Sequence, residues 1–188
     1  GDDILLAWAR HLKAHGRLPG NRVVATVMSN FGLERSLRSE GMTIKRCPVG
    51  DRAVWIAMAE DGVVLGGEQS GHIVLSDYAT TGDGLIAALQ VLSVVQSWDK
   101  PVSEVCARFE PVPQVLKNVS FKSGEPLKDK LVIESIDDAR SQLADSGRLV
   151  IRASGTEPLI RVMAEGDDET LVRDVVDGIC STLRKVAA

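Results

Sequence analysis

Three short stretches of this 188-residue chain carry side chains whose types and spacing could do chemistry. In the first, VLGGEQSGHIVLSD (residues 64–77), a loop containing Gly66, Gly67 and Gly71 interrupts two apolar runs with Glu68, Gln69, Ser70 and His72. A turn needs only the glycines, which reach positive φ at little steric cost, so the polar residues require another reason. On an extended loop Glu68 and Ser70 project to one side, and a carboxylate beside a hydroxyl suits the vicinal hydroxyls of a sugar. His72, two residues on, suits phosphate binding or proton exchange, because the ordinary histidine pKa of ~6.5 lies near neutrality. A purely structural loop would use Glu68 to accept from backbone donors and would tuck His72 under a strand.

The second stretch is RLVIRASGTEPLIRV (residues 148–162). Ser154, Gly155 and Thr156 form a small-residue turn that can aim successive backbone N–H groups at one anion, and the two hydroxyls add donors. Arg152, at the end of the preceding strand, offers a planar fork suited to phosphate oxygens. Arg161 either supports that pocket or faces solvent. Glu157 would repel a phosphate, so it must point away or pair with an arginine. An ordinary β-hairpin with Ser-Gly-Thr as turn chemistry accounts for the same residues. The third stretch, CPVGDRAVW (residues 47–55), puts Arg52 at a helix N-terminus, where anions are favoured, with Asp51 as the expected cap. Arg52 and His72 are the candidates for acid, base or phosphate contact.

Alternating strands and helices must hold these residues. GDDILLAWARHLKAHG reads as a first helix with Ile4, Leu5, Trp8 and Leu12 on one face and two aspartates at its N-terminal end. RVVATVM and MTIKRCPV read as strands around the helix GLERSLRSEG, and RAVWIAMAEDG as a helix closed by Gly62. Runs near residues 63–65 and 73–75 read as strands, and GDGLIAALQVLSVVQSW as a helix capped by Thr81 or Asp83. This order predicts a layered α/β domain, a mixed sheet flanked by helices, over residues 1–110. In DKPVSEVCARFEPVPQ, Pro101, Pro111 and Pro113 break regular structure, and we place the boundary there. Beyond it the order β-α-β-β-α predicts a small α+β domain over residues 111–188, an antiparallel sheet covered by helices.

Composition narrows the partners. A formal net charge of −4 argues against a general nucleic-acid or membrane-surface binder. Cys47, Cys106 and Cys180 lack zinc-ligand spacing and read as reduced thiols in a cytoplasmic protein, and no run approaches the ~20 apolar residues of a membrane span. The oligomeric state is not encoded in any of these features.

GGEQSGH and RASGTEPLIRV, in this order and separated by a TTGDG helix and a proline-broken linker, resemble the α-D-phosphohexomutase family. The whole chain is similar to the C-terminal two of that family's four domains. TVMSNFGLE, VGDRAV and GEQSGHIVLSD are most similar to the bacterial branch that acts on glucosamine phosphate. The resemblance implies interconversion of glucosamine 6-phosphate and glucosamine 1-phosphate through a phosphoserine and a 1,6-bisphosphate. It implies Glu68 and Ser70 as ligands of the sugar hydroxyls, and Arg152, Ser154, Gly155 and Thr156, supported by Arg161, as ligands of the distal phosphate. It further implies Mg2+ and a phosphoserine, both supplied by N-terminal domains outside these residues. No TASHNP-like or DGDGDR-like segment occurs in the chain, so it is expected to bind a hexosamine phosphate weakly and without turning it over. Two other readings remain open here: the phosphomannomutase/phosphoglucomutase branch, and a non-catalytic phosphosugar-binding module.

Overall fold

The computed structural model describes residues 1–106, 109–155 and 157–186, which divide into two compact units, Gly1–Pro111 and Val112–Ala188. In the first unit α1 (Asp2–Ala14) precedes β1 (Arg22–Thr26), α2 (Phe31–Ser39), β2 (Thr43–Cys47), α3 (Asp51–Asp61), β3 (Leu65–Gly67), β4 (Ile73–Leu75), α4 (Gly84–Trp98) and α5 (Val102–Cys106). The sheet order is β2-β1-β3-β4, with β1 parallel to both β2 and β3, and β4 antiparallel to β3. The strand pleat sorts β1 between two cores. Val23 and Ala25 join α1, α2, α4 and α5 on one face, whereas Val24 meets Val54, Ala57 and Met58 of α3 on the other. The result is the layered mixed sheet read from the alternating elements.

Two local readings are corrected. Gly66 and Gly67 are strand residues rather than loop, and only Gly71 of the three has a positive φ (101°). They are small because neighbours press on them: a Cβ on Gly66 would lie 2.6 Å from Met58 Sδ, and one on Gly67 would lie 2.7 Å from the His72 carbonyl oxygen. The stretch after Trp98 is not wholly irregular. Pro101 precedes α5, and its carbonyl accepts from the N–H groups of Glu104 and Val105, a place where proline's missing donor costs nothing. Val105 then enters the core fully buried.

In the second unit β5 (Gln114–Ser120), α6 (Lys130–Leu143), β6 (Gly147–Ala153), β7 (Leu159–Gly166) and α7 (Glu169–Val186) form an antiparallel sheet of order β5-β7-β6 with two helices. Val119, Ile160, Val162 and Ala164 pack against Val132, Ala139 and Leu143 of α6 and Val172, Val176, Ile179 and Leu183 of α7. The alternate residues of the same strands, Asn118, Arg161 and Arg152 among them, therefore point to the other face.

Candidate functional site

Glu68 follows the carboxyl end of β3, and Gly50, Asp51 and Arg52 follow the carboxyl end of its parallel neighbour but one, β2. Open α/β sheets bind ligands at that edge, because the loops of several parallel strands converge there. The β3–β4 connection is a tight turn rather than an extended loop: the Gly71 N–H donates to the Glu68 carbonyl (3.0 Å) and the Glu68 N–H to the His72 carbonyl (2.9 Å). Glu68 and Ser70 thus differ in setting. The Glu68 side chain is 12% exposed and its Oε1 accepts from the Gly50 N–H at 3.0 Å. Ser70 stands exposed, its Oγ 3.2 Å from His72 Nδ1, and that nitrogen lies 3.9 Å from Glu68 Oε2. So Glu68 does accept a backbone donor, yet His72 is not tucked under a strand, its side chain being 66% exposed.

Around this turn, Ser70, Gly71, His72 and Ile73 line a depression of about 380 Å³ with Gly82, Asp83 and Gly84. Asp83 Oδ1 accepts from the N–H groups of Leu85 and Ile86, both at 2.9 Å, and so caps α4. Asp51 does not cap α3. It is the first helical residue, Gly50 occupies the cap, and Asp51 Oδ1 takes the Arg52 N–H at 2.7 Å. The exposed Arg52 guanidinium makes no hydrogen bond to the described residues. Burial first, and then the negative charge of Glu68, push the Cys47 thiol up, which keeps it protonated and unreactive at neutral pH.

In the second unit, register assembles what the sequence left apart. Arg152 of β6 stands directly opposite Arg161 of β7, and Arg161 directly opposite Asn118 of β5, so three polar side chains form one row across the face turned away from α6 and α7. Like charges directly opposite on neighbouring strands repel. Arg161 has an inaccessible Nε with no hydrogen-bond partner, and its closest carboxylate, Glu157, sits at 3.7 Å, beyond hydrogen-bond reach. Arg152 has no partner among the described residues. Ser154 N–H closes the hairpin on the Leu159 carbonyl (2.8 Å), so this residue brings its hydroxyl, not its amide, to any anion. Gly155 lies in the same connection with open space where a side chain would be. Thr156 lies outside the described residues.

Two rows further along the same face is a counterpart that sequence reasoning missed. Arg148 of β6 and Gln114 of β5 flank Glu165 of β7, which is 0% exposed, with Arg148 Nε on Oε1 at 2.8 Å and Gln114 Nε2 on Oε2 at 3.0 Å. The signal was present: Arg148 and Arg152 are four residues apart, hence on one face of a strand. Asn118 and Gly50 were missed too, the first because an asparagine in a strand has many uses, the second because its partner Glu68 is 18 residues away. Among the described residues no group of three or more His, Cys, Asp or Glu side chains converges to hold a metal ion, so the residues present do not fit Mg2+.

The profile described as "Phosphoglucomutase/phosphomannomutase, alpha/beta/alpha domain III" matches residues 1–112, and that of the family's C-terminal domain matches residues 107–181. The chain belongs to the phosphoglucomutase/phosphomannomutase family. It carries the layouts of domain III and the C-terminal domain of that family, in agreement with the resemblance read from the motifs. Among the family's curated members it is 60% identical over all 188 residues to a protein named phosphoglucosamine mutase from Azorhizobium caulinodans, and 60% identical to one of the same name from Parvibaculum lavamentivorans. Each match covers 100% of the chain and 42% of the relative's length. Among solved structures, N-acetylphosphoglucosamine mutase of Aspergillus fumigatus superposes with a TM-score of 0.81 at 20% identity, covering 100% of this chain and 43% of that one. The same fungal enzyme in complex with GlcNAc-6P and magnesium gives 0.78 at 20% identity, covering 98% and 46%. At such identities the likeness is one of fold. No helix among the described residues is long and apolar enough to cross a membrane.

Proposed function

We propose that this chain holds the hexose ring and the distal phosphate of glucosamine phosphate in a mutase that interconverts the 6- and 1-phosphates through a phosphoserine and a 1,6-bisphosphate. The observation that carries the reading is the opposed pair Arg152 and Arg161: two cations face to face on adjacent strands, with no carboxylate in hydrogen-bond reach among the described residues and Glu157 at 3.7 Å from Arg161, favour a dianionic ligand. Ser154, Gly155 and Thr156 complete the phosphate side. Glu68 and Ser70 serve the sugar hydroxyls, with Glu68 Oε2 the oxygen left free to accept. Contacts of this kind, to ring hydroxyls and to the far phosphate, persist when the sugar turns end over end to present its other oxygen. His72 and Arg52 are the candidates for phosphate contact, and His72 for proton exchange.

The names carried by the 57–60% identical relatives support glucosamine as the sugar. The phosphoserine and Mg2+ belong, in this reading, to the portion of the relatives that the chain does not span, and so the chain alone binds without turnover. Magnesium would neutralise charge on the transferring phosphoryl group. Binding is tested by titrating the full chain with glucosamine 6-phosphate and following amide shifts around Ser154 and Glu68. Arg152→Ala should weaken that binding by about tenfold or more, the worth of a hydrogen bond to a charged group. Unchanged affinity in the variant, or turnover by the purified chain free of host mutase, would overturn the corresponding half of the proposal.

A further inference from the structure

Glu68 is held from two directions by residues that no sugar or phosphate touches in the reading above. Gly50 donates its N–H to Oε1 at 3.0 Å from the N-cap of α3, where the helix dipole also favours a carboxylate. It does so with φ 121° and ψ 141°, a backbone conformation that a residue with a Cβ rarely adopts. On the other side Gly1 lies flat against the turn: a Cβ there would overlap the Glu68 carbonyl oxygen and come 2.7 Å from that of Gln69. With Oε1 tied and the backbone supported, Oε2 accepts no hydrogen bond from the described residues, lies 3.9 Å from His72 Nδ1, and is available to accept a ligand hydroxyl.

We propose that Gly50, backed by Gly1, is the positioning residue for Glu68, aiming one carboxylate oxygen at a ligand hydroxyl by occupying the other. Any side chain at Gly50 forces the peptide to rotate and takes the N–H away from Oε1. The carboxylate then gains rotational freedom that it must surrender again on binding. This inference rests on the reading that Glu68 accepts from the sugar.

The test has two arms. In the free chain, the Gly50 amide should be protected from hydrogen exchange and its NMR shift should move on Glu68→Ala; an exchange-labile amide whose shift ignores that substitution overturns the inference whether or not sugar binds. In the second arm, affinities for glucosamine 6-phosphate and for its 3-deoxy and 4-deoxy analogues are compared between the native chain, Gly50→Ala and Gly1→Ala. The loss expected for each variant is about tenfold with the natural sugar, the worth of one charge-assisted hydrogen bond, and under about twofold with at least one deoxy analogue. Equal losses with all three ligands would assign both glycines a general structural role and sink the proposal. If the native chain itself does not distinguish the deoxy analogues, the sugar-hydroxyl reading of Glu68 fails, and the positioning of its carboxylate is decided by the amide measurement.

Discussion

Two polar rows cross the face of the second unit's sheet turned away from α6 and α7, and they differ in the sign of one residue. In one row Gln114, Glu165 and Arg148 lie side by side; in the other, Asn118, Arg161 and Arg152 do. Each sets an amide on β5, a charged residue on the central strand and an arginine on β6. The first row is closed, since Glu165 accepts from both neighbours and is fully buried. The second is open, because a cation occupies the place of the carboxylate and an arginine nitrogen is left without a partner. The sheet thus neutralises Arg148 by close hydrogen bonds to a buried carboxylate, whereas beside the Ser154 turn Arg161 has the longer ion pair with Glu157 at 3.7 Å. Two opposed arginines so weakly compensated lower stability, and under the proposed function they are the place for an anionic ligand.

The largest effect should come from breaking the closed row. Glu165→Ala removes the carboxylate that accepts from the mostly buried Arg148 and is expected to destabilise the second unit by about 3 kcal/mol in urea denaturation. A neutral result would mean that the two rows do not differ energetically. Next, Arg161→Glu converts the open row into a copy of the closed one. It should weaken affinity for a phosphate ester by at least about tenfold, while leaving stability unchanged or higher by up to ~1 kcal/mol. Concurrent loss of stability would show that Arg161 is structural. Neither row contains a histidine, so the smallest effect, a pH dependence near neutrality, should arise in the first unit.

There, burial, then His15, then Arg17 hold the His11 imidazole below its ordinary pKa, with the Trp8 and His15 rings 5.3 and 4.3 Å away. A depressed histidine binds fewer protons folded than unfolded. Its contribution is therefore present above the unfolded value of 6.5 and is lost as pH falls from there through the folded pKa. The thermal midpoint should drop slightly between about pH 7.5 and about pH 5.5, and His11→Gln should flatten that slope.

Much of the scaffold was legible. Strand and helix periods located β5, β6 and β7 and the helices around them, since periodic burial is written locally. Leu85, Ile86, Leu89 and Leu92 mark α4 by spacing, yet of these only Ile86 packs against the core, beside Val91, Val94 and Val95, and the three leucines lie exposed. Periodicity reveals a helix; on a chain segment apolar nearly all round it cannot choose the face. The glycines of the Glu68 stretch were misassigned for a related reason. A small residue demanded by a neighbour's side chain, as at Gly66 beneath Met58, looks the same in sequence as one demanded by a turn.

The sequence by itself determined the inventory: which carboxylate, hydroxyls and arginines occur, and that each sits beside a strand end. It also carried the family, because motifs in register survive as strings. Only the tertiary structure decided which of them meet. Hairpin register set Arg152 against Arg161 and Arg148 against Glu165, and the parallel crossover from β2 to β3 brought the Gly50 amide to Glu68. Those pairings depend on contacts between residues distant along the chain, whose free energies are settled by packing and register rather than by any local propensity.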